Sequence, residues 1–113
     1  MRRRPALVVW TLLAAAMTAG VAFADEAARF QALLEKEWTV RLAESPLLAT
    51  YVGVHTSDDR LGDDSEEGFA RRERETRAFL EALSKVDRAA LPPTDQVSYD
   101  LFGAELADRL DAR

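Results

Sequence analysis

Apolar residues recur at three- and four-residue intervals along four stretches of the chain, and no stretch alternates with the two-residue period of a half-buried strand. The first stretch runs from about residue 26 to 43. Phe30, Leu34, Trp38 and Leu42 recur every fourth position, Leu33 widens the stripe, and Glu35, Lys36 and Arg41 lie off it. The second is the short run "ESPLLATYVG". Ser45 suits an N-cap, and Pro46 suits the first helical position, where its missing N–H needs no partner. Leu47, Leu48, Tyr51 and Val52 form the apolar side, and Gly53 supplies a stop.

A third helix is predicted from near Asp64, with Glu67 three positions on completing a capping box. Its buried face would be Phe69, Thr76, Phe79, Leu80, Leu83 and Val86, ending by about Asp87. Charges of both signs, Arg71 to Glu75, cover the outside. Leu91-Pro92-Pro93 is a break, after which Thr94 is the predicted cap and Asp95 the first-turn acid of a fourth helix. Val97, Leu101 and Ala104 mark its apolar side, with Phe102, Leu106 and Leu110 a less regular second set. The fold class that follows is all-α, about four amphipathic helices after an N-terminal signal helix, forming an incomplete part of a larger helical domain.

Residues 1–24 have the layout of a secretory signal peptide. Arg2, Arg3 and Arg4 make a basic start, 6–21 is almost wholly apolar, and Ala22-Phe23-Ala24 is the small-x-small pattern of a cleavage site. Cleavage after Ala24 would leave Asp25 as the mature N-terminus and 25–113 as an exported, periplasmic or secreted, helical segment. The competing reading is an uncleaved anchor. The apolar run is barely long enough to span a bilayer, which takes about 20 residues, and Thr11, Thr18 and Gly20 weaken it.

Composition narrows the partners. Without the three leading arginines, 12 basic residues face 20 acidic ones, a net charge near −8. That balance repels nucleic acid and anionic membrane surfaces alike, so neither is expected to bind after cleavage. The absence of cysteine rules out a disulfide and a lipoprotein anchor.

Candidate chemistry is sparse. His55 is the only histidine, and a lone histidine after a glycine in a polar loop reads as solvated or as a turn contact, since metal ligation needs several convergent ligands. The acidic loop holds Asp58, Asp59, Asp63, Asp64, Glu66 and Glu67. Aligning Gly62 with the turn glycine of an EF-hand puts Ser57 first, Leu61 fifth and Gly68 where the bidentate glutamate belongs, so the calcium reading fails. The loop acids instead suit the positive end of the third helix. Neither Ser57 nor Ser65 sits in a nucleophile elbow, and no phosphate loop or His-Glu-x-x-His occurs. The residues therefore predict no catalytic and no metal-binding position in this chain.

The order of features carries more. A helix with Trp38 is followed by Ser45-Pro46 and Ala49-Thr50-Tyr51-x-Gly53, then Asp58-Asp59-Arg60-Leu61-x-Asp63. Leu83-x-x-Val86-Asp87 precedes Leu91-Pro92, and Asp95-Gln96-x-x-Tyr99-Asp100-Leu101 completes the series. This order resembles the N-terminal part of the bacterial family called domain of unknown function 885, from about residue 27 to the end. Trp38, Pro46, Thr50, Gly53, Asp59, Leu61, Asp95 and Tyr99 are the marker positions. The resemblance implies a longer, largely helical, exported protein similar to zinc metallopeptidases, with a His-Glu-x-x-x-Gly-His type motif that this chain does not contain. Zinc and a peptide substrate are thus implied for the full-length family only, and no catalytic residue carries over. The expected partner is the remainder of the domain. A self-contained small helical protein, binding a periplasmic partner or its own copies, is the alternative.

Overall fold

The computed structural model describes residues 5–112, with side chains from residue 23 onward. Four α-helices and one 3₁₀ turn make up the described chain, and no strand occurs among the described residues. They are α1 (Pro5–Glu44), α2 (Pro46–Tyr51), α3 (Glu66–Ser84) and α4 (Pro93–Asp111), with the 3₁₀ turn at Arg88–Ala90 between α3 and α4. The all-α expectation holds.

Helix α1 does not begin near residue 26, as the periodicity predicts, but runs unbroken from Pro5. No proline or glycine follows Gly20 until Pro46, so nothing interrupts the ladder around the expected mature start. Ala24 and Asp25 are exposed helical residues; Arg2, Arg3, Arg4 and the side chain of Ala22 lie outside the described residues. Among the described residues no helix is long and apolar enough to cross a membrane.

Pro46 ends α1. It cannot donate to the Leu42 carbonyl, and it drives Ser45 out of the helical region, to φ −128° and ψ 81°. Ser45 is the N-cap of α2, but its hydroxyl makes no capping hydrogen bond. The stop is well made. Gly53 has φ +90°, the Gly53 N–H donates to the Thr50 carbonyl at 3.1 Å, and the Val54 N–H donates to the Ala49 carbonyl at 2.7 Å. That pair of bonds is a Schellman motif, which needs a left-handed residue at the glycine.

Two ties show that α3 runs antiparallel to α1. Arg71, early in α3, bonds Glu44 at the end of α1, and the Asp87 N–H, just past α3, donates to Glu26. Helix α4 returns parallel to α1: Asp95 in its first turn accepts from Gln31, and Arg109 near its end bonds Glu37. At about 1.5 Å rise per residue, α3 and α4 span roughly 28 Å and pack on only the C-terminal half of the roughly 60 Å α1. The core of this up-down-up body is Phe30, Phe79, Leu83, Val86, Leu91, Phe102 and Leu106. Tyr99 packs on Phe30 with ring centroids 6.1 Å apart and donates its hydroxyl to the Leu83 carbonyl at 3.2 Å.

Four predicted faces differ. Trp38 is half-exposed, with Arg41 over its ring at 5.7 Å, while Glu37 takes the buried place. In α2 the buried residues are Pro46 and Ala49; Leu47 and Tyr51 face solvent. Phe69 of α3 is exposed, although Thr76, Phe79, Leu83 and Val86 are buried as predicted. In α4 the less regular set wins: Phe102 and Leu106 are buried, and Val97 and Leu101 are exposed.

Candidate polar-walled groove

Two caps also form elsewhere than predicted. The cap of α3 is Ser65 rather than Asp64, its hydroxyl accepting from the Gly68 N–H at 3.0 Å, and no Asp64–Glu67 box forms. Asp63 organises this entry. Its Oδ1 accepts from the Ser65 N–H at 3.1 Å and from the Ser65 hydroxyl at 2.5 Å, and its Oδ2 accepts from Arg71 at 3.3 Å. The Ser65 bonds, first, and then Arg71 hold the Asp63 carboxyl below its usual range. In α4, Pro92 is the N-cap residue and Pro93 opens the helix, which leaves Thr94 inside it.

Between the C-terminal half of α1, the start of α3 and the end of α4 the helices part. They leave a groove of about 760 Å³, lined in part by Pro46, Leu47 and Gly62. Val40 and Phe79 give it an apolar floor, with the Thr76 hydroxyl satisfied by the Arg72 carbonyl. Its walls are charged and largely locked. Arg41 forms two bonds to the buried Glu37, Nε to Oε1 at 3.0 Å and Nη2 to Oε2 at 2.9 Å, and Arg109 reaches Glu37 Oε1 at 2.8 Å. Glu105 bridges the same arginines, 3.0 Å from Arg41 and 2.6 Å from Arg109, and the Arg109 bond draws its pKa down. Further along α1, Glu44 is gripped by Arg71, which itself stands outside the lining, with two bonds of 2.9 and 3.0 Å, and Arg72 stands 3.7 Å from it. The Arg71 bond lowers the Glu44 pKa against the opposing effect of burial.

Glu75 differs from its neighbours. It lines the groove half-buried and has no hydrogen bond or ion pair to any described residue. Burial first, and the Glu44 charge second, push its carboxyl upward.

The predicted loop chemistry resolves into structure. Asp58 accepts from the Thr50 hydroxyl at 2.6 Å and lies 2.9 Å from His55 Nδ1, both in the open. Here the aspartate bridges threonine and histidine, whereas a nucleophilic triad needs the histidine between the other two. Asp59 and Leu61 are exposed and contribute nothing to the groove, and of the marker positions only Pro46 lines it. The groove residues went unseen in the sequence: Arg41, Arg72 and Glu75 read as outward-facing charge, and Glu37, Glu44 and Arg109 carried no signal of their own. The only signal available was the placement of Glu37, Val40, Arg41 and Glu44 at helical spacing from Phe30.

No group of three or more histidine, cysteine, aspartate or glutamate side chains is placed to hold a metal ion among the described residues. The zinc implied for longer relatives therefore finds no fit in them.

Fold and groove together define an α-helical module whose charged groups pair chiefly with one another. The family model described as "Bacterial protein of unknown function (DUF885)" matches residues 46–113, from α2 to the end of the chain. The chain belongs to that family. Trp38 and the rest of α1 precede the match. No curated protein and no solved structure matches the chain.

Proposed function

We propose that this chain is the exported, N-terminal helical segment of a DUF885-type, metallopeptidase-like protein, and that it forms one wall of a polypeptide-receiving cleft without performing chemistry itself. The observation that carries the reading is the lining of the groove. Arg41, Arg109, Glu37 and Glu105 hold one another in charge-assisted pairs, and Glu44 is held by Arg71 from outside the lining, so these groups brace a surface rather than stand ready to transfer protons. The apolar floor between them has the form expected of a polypeptide-binding surface. Leu47 and Tyr51, one helical turn apart, and Leu61 are exposed and would be covered by the remainder of the larger domain. In that larger protein zinc chemistry would reside on other residues. Export rests on the leader pattern of residues 1–24, with Ala22 and Ala24 flanking the cut and Asp25 following it.

The test has two readouts. The full chain expressed in a bacterium with a signal peptidase should be recovered with Asp25 as its first residue. It should leave internally quenched peptides uncut, with zinc supplied or without. An intact N-terminus at Met1 overturns export, and peptide cleavage abolished by a chelator overturns the non-catalytic role.

A further inference from the structure

We propose that the groove receives a polypeptide segment that carries a basic side chain among apolar ones, with Glu75 as the carboxylate that pairs with the base. The inference rests on the reading of the groove as a polypeptide-receiving surface, but not on the metallopeptidase expectation.

Charge complementarity points to that occupant. Five carboxylates and three guanidiniums line the groove, so it is net acidic before anything enters it. Glu37, Glu44 and Glu105 each have an arginine in direct contact. Glu75 has none within hydrogen-bond or ion-pair distance: Arg71 is turned onto Glu44 and Asp63, Arg72 donates to the Asp63 carbonyl at 2.5 Å, and these two and Arg74 act on Glu75 only through longer-range attraction, weaker than the cost of its burial. A half-buried carboxylate without a direct partner is costly, and an incoming cation relieves that cost while an incoming anion increases it.

The space around Glu75 sets the rest of the chemistry. Val40 and Phe79, which line the same groove, favour apolar side chains. A volume of about 760 Å³ holds a few residues rather than a folded domain, and it falls within the roughly 300–1,000 Å³ of sites that enclose small ligands. Arg72 lies over the Phe69 ring at 4.7 Å and so leaves one aromatic edge at the rim fixed in place.

The experiment is fluorescence anisotropy of the full chain with three labelled ten-residue peptides of leucine, alanine and serine. Their termini are blocked, and they differ only in a central arginine, glutamine or glutamate. The arginine probe should bind about tenfold more tightly than the glutamine probe, and the glutamate probe most weakly, as expected for a charge pair at a partly desolvated site. Glu75→Gln, close to isosteric, should bring the arginine probe to the level of the glutamine probe. Glu75→Lys should reverse the order of the charged probes. Glu81→Gln, an exposed α3 position outside the groove, should change nothing. Equal binding of the arginine and glutamine probes overturns this inference and leaves the groove reading standing. Equal loss in Glu81→Gln and Glu75→Gln also overturns it, by exposing unspecific attraction. No binding of any probe overturns both.

Discussion

Gly68 illustrates how much can depend on a side chain that is not there. A Cβ at this position would lie 2.6 Å from both Cγ and the carbonyl oxygen of Asp63, neither of which can yield without breaking the entry to α3. The Ser65 cap and the Arg71 and Arg72 contacts all depend on Asp63 staying where it is. Gly68→Ala would normally favour a helix, yet here it should destabilise the chain by about 1–3 kcal/mol, the usual cost of overpacking. A urea or thermal melt checks this, and an unchanged midpoint would show that the entry adjusts freely. The residue-level pattern hid the effect. Asp63 read as one of six loop acids, and Gly68 only as the residue that spoils the calcium pattern, because their meaning lies in a contact between the loop and the first turn. His55 and Asp58 show the converse. His55 is expected from the sequence to be solvated or a turn contact, and in the structure it is exposed with the Asp58 carboxylate of its own loop beside it.

At the scale of elements, α4 carries two apolar stripes and buries the less regular one. Val97, Leu101 and Ala104 keep perfect helical spacing, but Phe102 and Leu106 meet Phe30 and Leu83 across the bundle. Tyr99 fixes the rotation at one end through the Leu83 carbonyl, and Arg109 fixes it at the other through the buried Glu37. Leu106→Ala should therefore cost about 2–5 kcal/mol, as for other fully buried leucines. Leu101→Ala should stay within about 0.5 kcal/mol, as exposed substitutions do. Chemical denaturation of the two variants side by side decides which stripe is inside; equal losses would rotate the helix back. The same rotation places Glu37 inside and Trp38 outside on α1. Periodicity shows that a helix has an apolar stripe, but a choice between neighbouring stripes about 100° apart belongs to the partner helix.

For the whole molecule, ion pairs that tie distant segments make stability depend on acidity. Arginine bonds lower the folded-state pKa of Glu44 and Glu105 below the ordinary glutamate value of 4.5. Their contribution is present above that value and is lost as pH falls through the lowered folded pKa. Glu75 has the opposite sign: burial raises its pKa, so its contribution is present below 4.5 and lost as pH rises through the raised value. The melting temperature should accordingly rise slightly from neutral pH towards about 4.5, as Glu75 takes up its proton, and fall beneath it as the Glu44 and Glu105 pairs are lost. Glu75→Gln should raise it at neutral pH and leave it unchanged below 4.5. A series of melts across that range checks both signs, and a flat profile would show that the pairs contribute nothing net. Helix number, the break at Leu91-Pro92-Pro93, the glycine stop at Gly53 and the family all follow from local sequence, because proline and glycine act on their own backbone and motif order needs no folding. The buried side of each helix, the anchor at Asp63 and the groove with its lone Glu75 were decided only when α1, α3 and α4 came together. Their physical content is contact between residues far apart in the chain, and a linear pattern of apolar and charged positions does not contain those distances.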